Sequence, residues 1–233
     1  MANSPNGVFQ PPHVLRAAGV RHRLGLGVTL VFAASAAAAC TVLLTDDRLW
    51  DSLVTEDGPV ENATSVALAL ASLLFVAAAH RHRQATGARV FYLAFSGLLF
   101  LAAMDEISWG QRILEVPSPR FFLEHNDQQE INIHNTLQQW LPLRTKHVVG
   151  AGMVLYGVVM PWLLHLGRLP GRFRAGYVVF PPRFLSPAIV IGALFMVDVP
   201  TGNEEEVGEL LLSLCLCLFG GNEACRSERV PVR

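Results

Sequence analysis

Apolar stretches long enough to cross a lipid bilayer recur along this chain, and they limit what it can fold into. A spanning helix needs about 20 mostly apolar residues, because it rises about 1.5 Å per residue through a hydrocarbon core about 30 Å thick. The chain is 52% hydrophobic and only 16% charged, whereas a soluble domain is usually about 25% charged. The sequence therefore predicts an all-α integral membrane protein of the cell membrane.

Six segments are long and apolar enough to be predicted as transmembrane helices. They cover residues 24–44, 62–79, 90–109, 147–166, 184–199 and 206–220, and the last two are short for a span. We expect Pro161 to kink the fourth helix. We interpret the first run as a retained helix rather than a cleaved signal peptide. The predicted organisation is a leader over residues 1–23, one helical transmembrane domain over 24–220 and a tail over 221–233.

The distribution of charge predicts the orientation of these helices. Placing the N-terminus in the cytoplasm leaves most of the 18 basic residues in cytoplasmic segments, which satisfies the positive-inside rule. Both termini are then cytoplasmic. Of the 19 acidic residues, only Glu223 and Glu228 fall on that side. Because acids contribute little to topology, the gathering of carboxyl groups on the outer side indicates a function there.

A long outer loop over residues 110–146 separates the third and fourth predicted spans. Loops of this length are more often functional than simple connectors. Within it, the letters SPRFF predict a helix start, with Ser118 as the cap and Pro119 in the first position. We expect a short amphipathic helix on the membrane surface, with Phe121 and Phe122 dipping into the lipid.

An acidic pair, Asp105 and Glu106, ends the third apolar run inside the motif MDEISWGQRIL. Carboxylates within a span are costly and are functional candidates by default. If the helix continues, Asp105 shares a face with Arg112, and Glu106 lies against Trp109. Arg112 would keep Asp105 ionised, while apolar surroundings favour a protonated Glu106, so the two could act as an acid and its partner. The alternative is a helix end whose carboxylates reach water.

A second motif, HNDQQEINIHN, occupies residues 125–135 of the outer loop. Glu130 and His134 converge on one face whether the segment is a helix or a strand. Three interpretations stay open: a metal site completed by Glu106, a polar loop that bonds its own backbone, and an acid–base or substrate-orienting cluster. The metal signal is weak, because a dedicated site needs three or four ligands.

Further acids open the second and sixth predicted spans. Glu61 and Glu209 lie at the edges of apolar runs and are candidates for the same site. The run Glu204–Glu206 is explained by the favourable interaction of acids with a helix N-terminus. In the cytoplasmic turn after the second span, we expect His80 and His82 to be solvated.

Several kinds of function have no support in the sequence. There is no P-loop, GxGxxG, GxSxG or HExxH motif, and the four cysteines form no CxxC pair. We therefore predict no cofactor and no resident metal. A formal net charge of −1, with the basic residues on the cytoplasmic side, gives no reason to expect nucleic-acid binding. The predicted partners are the lipid bilayer and a lipophilic small molecule.

The two motifs together resemble a group of small bacterial polytopic membrane proteins. These proteins carry an acid-Glu-Ile-Ser-Trp-Gly-Gln-Arg element followed by an Asn-x-Gln-x-Glu-x-Asn-x-His-Asn element, and the resemblance covers most of residues 45–220. The group usually has Glu-Glu where this chain has Asp105-Glu106, which places the stricter requirement on Glu106. By analogy, the chain also looks similar to membrane-bound terpene cyclases of the drimentine type.

That resemblance implies an enzyme that cyclises a prenylated substrate after protonating it. Such chemistry needs a neutral carboxylic acid in a dry pocket and aromatic faces for the carbocation. The implied acid is Glu106, tuned or oriented by Asp105, Glu61, Glu130 and His134. The candidate aromatic residues lie near the same membrane face: Trp109, Phe100, Phe121, Phe122, Trp50 and Trp140.

Two rival hypotheses stay open. One is a metal-dependent intramembrane hydrolase that uses Glu106, Glu130 and His134. The other is a small transporter or sensor with an acidic outer cavity, although no symmetry between the two halves of the sequence supports it.

Overall fold

A computed structural model describes residues 12–55, 58–111, 114–126, 129–133, 136–137, 144–174, 177–197 and 203–226. This part of the chain is helical and contains no β-strand, which confirms the predicted all-α class. In chain order the helices are α1 (Pro12–Thr45), α2 (Asp47–Val54), α3 (Pro59–Arg81), α4 (Thr86–Glu106), α5 (Arg120–His125), α6 (Thr145–Val154), α7 (Met160–His165), α8 (Gly171–Arg174), α9 (Ser186–Phe195) and α10 (Glu205–Cys225).

Five of the helical segments are long and apolar enough to cross a membrane. They are α1, α3, α4, the continuous stretch from α6 through α7, and α10. This number is compatible with a multi-pass membrane protein. Between α1 and α3 lies α2, an amphipathic helix that the sequence reading missed. Its first turn is capped by Asp46, whose Oδ1 accepts a hydrogen bond from the Leu49 N–H at 3.0 Å.

The segment predicted as the fifth span forms a shorter apolar helix. A 3₁₀ turn at Arg183–Leu185 leads into α9, which ends at Phe195. Together they rise only about 20 Å, less than the thickness of the hydrocarbon core. Phe184 contacts Gly25 in α1, and Met196 packs against Gly208 in the first turn of α10. The described residues thus provide five helices of spanning length rather than six.

The predicted kink at Pro161 takes the form of a π-helical turn over Leu155–Val159. Proline lacks an N–H group, and its ring clashes with the carbonyl four residues earlier, here that of Gly157. That carbonyl accepts a hydrogen bond from Ser186 Oγ at 3.3 Å instead. Gly157 has no side chain, so Ile189 of α9 packs directly against its backbone. The irregular turn therefore joins the α6–α7 stretch to α9.

Helix α3 lies at the centre of the bundle and packs against both α4 and α10. Small residues allow the close approach: Ala71 and Ala78 are fully buried, and Gly220 of α10 lies against Phe75. The Phe75 ring makes an edge contact with Phe219 at a centroid distance of 5.0 Å. Small residues at helix contacts are typical of membrane bundles, where van der Waals packing replaces the hydrophobic effect.

A reciprocal serine pair joins α3 to α4 inside the bundle. Ser72 Oγ donates to the Ser96 carbonyl at 3.0 Å, and Ser96 Oγ donates to the Ser72 carbonyl at 2.9 Å. Both side chains are buried. Each carbonyl oxygen can accept a second hydrogen bond in addition to the one within its helix. The pair therefore links α3 to α4, and both serine hydroxyls have an acceptor.

Replacing both serines by alanine, Ser72→Ala with Ser96→Ala, should lower the stability of the bundle by about 1 kcal/mol, since interhelical hydrogen bonds in membranes are worth about 0.6 kcal/mol on average. Thermal unfolding in detergent measures the change. Ser52→Ala is the matched control, because Ser52 is exposed on α2 and its hydroxyl donates to the Leu49 carbonyl of its own helix. Equal midpoints for the double variant and the control would contradict the assigned role.

A buried polar network ties the end of α10 to α3 and α4. Glu223 is fully buried, and its Oε2 accepts a hydrogen bond from the Tyr92 hydroxyl at 2.6 Å. Its Oε1 pairs with Arg226 at 2.7 Å, while its backbone carbonyl lies 3.0 Å from His82 Nε2. The prediction that His82 is solvated is therefore wrong, whereas His80 is exposed as expected. Residues 221–225 belong to the last helix.

Candidate functional site

The motif MDEISWGQRIL forms the end of α4 and a tight turn after it. The helix ends at Glu106, and Ser108, Trp109 and Gly110 follow with φ values of 46°, 58° and 71°. Three successive residues in the left-handed region reverse the course of the chain. The third predicted span, residues 90–109, therefore extends three residues too far, and the helical spacing that would place Trp109 against Glu106 does not apply. Arg112, the predicted partner of Asp105, lies outside the described residues.

The acidic pair lies at the last residues of α4. This helix begins at Thr86, earlier than the predicted start at residue 90. The rise from Thr86 to Glu106 is about 30 Å, which is close to the thickness of a hydrocarbon core. The depth predicted for Asp105, close to a membrane interface, stays a prediction.

Asp105 anchors the second motif to the end of α4. Its Oδ1 accepts a hydrogen bond from the Ile133 N–H at 2.7 Å, and its carbonyl accepts one from Asn132 Nδ2 at 3.3 Å. The Asp105 side chain is buried. These two hydrogen bonds hold the second motif against the end of α4. Asp105 therefore has a structural role in positioning this loop.

Two further hydrogen bonds complete the contact between the motifs. Ser108 Oγ donates to Glu130 Oε2 at 2.6 Å, and the Ile131 N–H donates to Gln111 Oε1 at 2.8 Å. The left-handed turn is what directs Ser108 and Gln111 toward the loop. The two motifs, separated by about 20 residues in sequence, thus form one hydrogen-bonded unit.

The second motif also bonds its own backbone, as one of the three interpretations expected. Asn126 Nδ2 donates to the carbonyls of Glu130 at 2.8 Å and Asn132 at 3.1 Å. Thr136 Oγ1 donates to the Asn132 carbonyl at 2.7 Å. The side chains of Asn126, Asn132 and Thr136 are all buried. These polar residues therefore set the shape of the loop that carries Glu130.

The short helix predicted within residues 110–146 forms, but not with the predicted cap. Helix α5 follows Pro119, which occupies the N-cap position, and no side chain caps it. Ser118 instead accepts a hydrogen bond from Gln111 Nε2 at 2.5 Å and donates to the Gln129 carbonyl. Its hydroxyl links the turn after α4 to the second motif. Phe121 of α5 stacks on His125 at a centroid distance of 4.8 Å.

Carboxyl groups from three helices gather around Glu106. Those close enough to act on it electrostatically are Glu209 and Glu206 of α10, Glu61 of α3 and Asp105 of α4. Glu106 itself is partly buried. Like charges held together away from water cannot all be ionised. The members of this five-carboxyl cluster, Glu61, Asp105, Glu106, Glu206 and Glu209, are therefore candidates to hold a proton.

The acids at the start of α10 differ from one another. Glu205 forms a salt bridge with Lys146 at 2.6 Å, which ties α10 to the first turn of α6. Glu204 is buried. The favourable interaction of an exposed acid with a helix N-terminus therefore does not fully explain this residue. Only Glu206 and Glu209 of this helix act on Glu106.

Within the described segments, no group of three His, Cys, Asp or Glu side chains is arranged to hold a metal ion. His134, which completes the metal alternative, lies outside the described residues, as do Asp198 and Trp140.

The candidate aromatic residues fall into two groups. Trp50 is buried and Trp109 is partly buried, and in the part of the chain that the structure describes neither indole N–H finds a hydrogen-bond acceptor. Phe100 and Phe121 expose 51% and 46% of their surface, as expected for side chains facing lipid. The shielded aromatic surface is thus supplied by indoles rather than by these phenylalanines.

Sequence reasoning missed the residues that join the two motifs. Ser108, Gln111, Ser118, Asn126 and Asn132 connect the turn to the loop, yet no spacing rule pairs them. The signal that could have identified them is the density of Asn, Gln and Ser in the two motifs, since such side chains favour turns and bonds to nearby backbone.

Comparisons with known proteins give the chain no relative from which a function can be transferred. No family model, no curated protein and no solved structure matches it. The candidate function therefore depends on the carboxyl cluster and on the two joined motifs.

Proposed function

We propose that this protein is an intramembrane enzyme that cyclises a lipophilic, prenylated substrate by protonating it, with Glu106 as the acid. The observation that carries the proposal is the placement of Glu106 at the C-terminal end of α4, with four other carboxyl groups acting on it. Since the cluster cannot be fully ionised, it can present a carboxylic acid at the membrane edge, where a lipophilic substrate would be dissolved.

The proposed reaction is a balanced isomerisation. The O–H bond of the Glu106 carboxyl group breaks, and a new C–H bond forms on one carbon of a substrate alkene. The resulting carbocation is attacked by a second alkene, which forms a C–C bond and closes a ring. A neighbouring carbon then loses a proton to a carboxylate of the cluster, so the product has the mass of the substrate. General acid catalysis of this type contributes about 10²–10⁴-fold to rate.

The other candidate residues have distinct roles in this proposal. Glu61, Glu206 and Glu209 return protons to Glu106 and limit the ionisation of the cluster. Asp105 and Glu130 position the outer loop over the end of α4, through Ile133 and Ser108. The indole faces of Trp50 and Trp109 are candidates to stabilise the carbocation.

An incubation with prenylated compounds tests the proposal. Membranes that contain the protein would be offered farnesylated and geranylated small molecules, and membranes from the same host without the protein serve as the control. We expect cyclic products of unchanged mass, formed without an added metal and unaffected by a chelator. No conversion across a broad panel would overturn the proposal.

The same incubation separates the two rival functions. A metal-dependent hydrolase would give products heavier by one water or cleaved, and the chelator would stop it. A transporter would leave the compounds chemically unchanged. Either result would replace cyclisation as the function of the carboxyl cluster.

A further inference from the structure

A groove between the end of α3 and the start of α4 lies at the opposite end of the bundle from the carboxyl cluster. It has a volume of about 370 Å³ and is lined by Val76, Ala79, His80, Arg83, Arg89 and Leu93. We call it the Arg83–Arg89 groove. By the positive-inside rule this end is the cytoplasmic side of the protein, so the groove is separate from the proposed active site.

The groove carries positive charge that no acidic residue of the described segments neutralises. Its lining includes two arginines and a histidine and no acidic residue. Within the described segments, Arg83 and Arg89 have neither a salt bridge nor a side-chain hydrogen bond, whereas the nearby Arg81 and Arg226 both belong to the Glu223 network. Helix α4 also begins here without a side-chain cap, and a helix N-terminus adds partial positive charge.

Apolar residues lie directly beneath these cations. Val76 is one turn deeper in the bundle than His80, and Leu93 is one turn deeper than Arg89, which is about 6 Å in each case. Both apolar side chains expose 46% of their surface, on the outside of the bundle where lipid would lie. The groove thus has a cationic rim at the membrane surface and an apolar wall facing the hydrocarbon.

We propose that the Arg83–Arg89 groove binds an anionic phospholipid of the cytoplasmic leaflet, with the phosphate at the arginines and an acyl chain against Val76 and Leu93. The cationic rim of the groove matches the anionic headgroup of this lipid, and the apolar wall matches its acyl chain. Basic pockets between helices on this side of a membrane are suited to acidic headgroups, and arginine binds phosphate oxygens through two parallel hydrogen bonds. A free phosphate ion would make no use of the apolar wall.

Native mass spectrometry of the full-length protein in a neutral detergent tests this site. The protein would be mixed with equal amounts of phosphatidylglycerol and phosphatidylcholine of the same chain length. We expect the native protein to retain phosphatidylglycerol preferentially. Equal retention of the two lipids would overturn the proposal without recourse to any variant.

The variant Arg83→Gln with Arg89→Gln should weaken phosphatidylglycerol retention on the order of tenfold, because each cation near a headgroup contributes several-fold to affinity. The matched control, Arg23→Gln with Arg168→Gln, removes the same charge from exposed positions predicted to be on the same side. Equal loss in both double variants would show non-specific attraction and would contradict the site.

A third arm distinguishes the lipid from a soluble anion. Leu93→Gln should lower retention of long-chain phosphatidylglycerol more than retention of its short-chain analogue, because it places a polar group on the apolar wall. Millimolar inorganic phosphate should leave long-chain lipid bound. Displacement of the lipid by phosphate alone would assign the groove to a free anion and overturn the lipid assignment.

Discussion

Glu106→Gln is expected to reduce cyclisation by about 10²–10⁴-fold, which is the usual contribution of a general acid. Glutamine has nearly the same shape and can occupy the end of α4, but its amide cannot supply the proton. The measurement is the rate of product formation per unit of protein in membranes. Glu106→Asp, which keeps the acid but shortens its reach, should retain part of the activity.

Glu61→Gln and Glu209→Gln are the matched controls for this substitution. Both residues act electrostatically on Glu106 from neighbouring helices, so each substitution also removes one carboxyl group from the cluster. We expect their effects to be smaller than that of Glu106→Gln, because a proton-sharing group can be replaced by another member. If Glu61→Gln or Glu209→Gln abolished product formation while Glu106→Gln stayed active, the substituted residue would be the acid instead of Glu106.

Substitution of Asp105 is expected to give the second large effect on activity. The result should depend on whether the new side chain can accept a hydrogen bond. Asp105→Leu removes the acceptor of the part-buried Ile133 N–H hydrogen bond, which costs about 1 kcal/mol. The loop that carries Glu130 should then separate from α4, and activity should fall at least tenfold. Asp105→Asn keeps an oxygen acceptor in place and should retain most of the activity.

Tryptic cleavage after the exposed Arg120 reports whether the loop has separated. Faster cleavage is expected for Asp105→Leu and a native rate for Asp105→Asn. If Asp105→Asn instead abolished activity with cleavage unchanged, the Asp105 carboxyl group would be a participant in proton transfer rather than an anchor.

The sequence predicts the helices well where long apolar runs determine them. The existence of α1, α3, α4, α10 and the α6–α7 stretch follows from length and hydropathy alone, since the bilayer sets the length of a span. The same rule does not describe α9, which follows the 3₁₀ turn Arg183–Leu185 and ends at Phe195. It packs against α1, α10 and the α6–α7 stretch, and a hydropathy pattern contains no information about these contacts.

Sequence patterns predict the structure of the candidate site less well than they predict the helices. Helical periodicity predicts a common face for residues 105, 108 and 112, although the chain leaves the helix at Ile107 and enters the left-handed region at Ser108. Neither serine nor tryptophan favours positive φ, so local propensity predicts no turn there. The turn is instead supported by tertiary bonds from Ser108 to Glu130 and from Gln111 to Ile131.

The burial of side chains around the turn between α3 and α4 shows a similar limit. The letters HRHR indicate a solvated basic turn, and His80 and Arg83 are indeed exposed. His82 is buried because α10 continues to Cys225 and brings Glu223 against it. The position of a distant helix end decides the environment of that histidine, and no local pattern contains this information.

The central claim, that a carboxylic acid of the protein protonates a substrate carbon, is tested most directly with a solvent isotope. The native protein would convert a prenylated substrate that lacks an epoxide in D₂O, where carboxyl protons exchange with solvent. The account predicts a cyclic product that carries one deuterium on carbon, heavier than the product in H₂O by one mass unit. A cyclic product with no deuterium on carbon would contradict it, because ring closure would then have begun without protonation of the alkene.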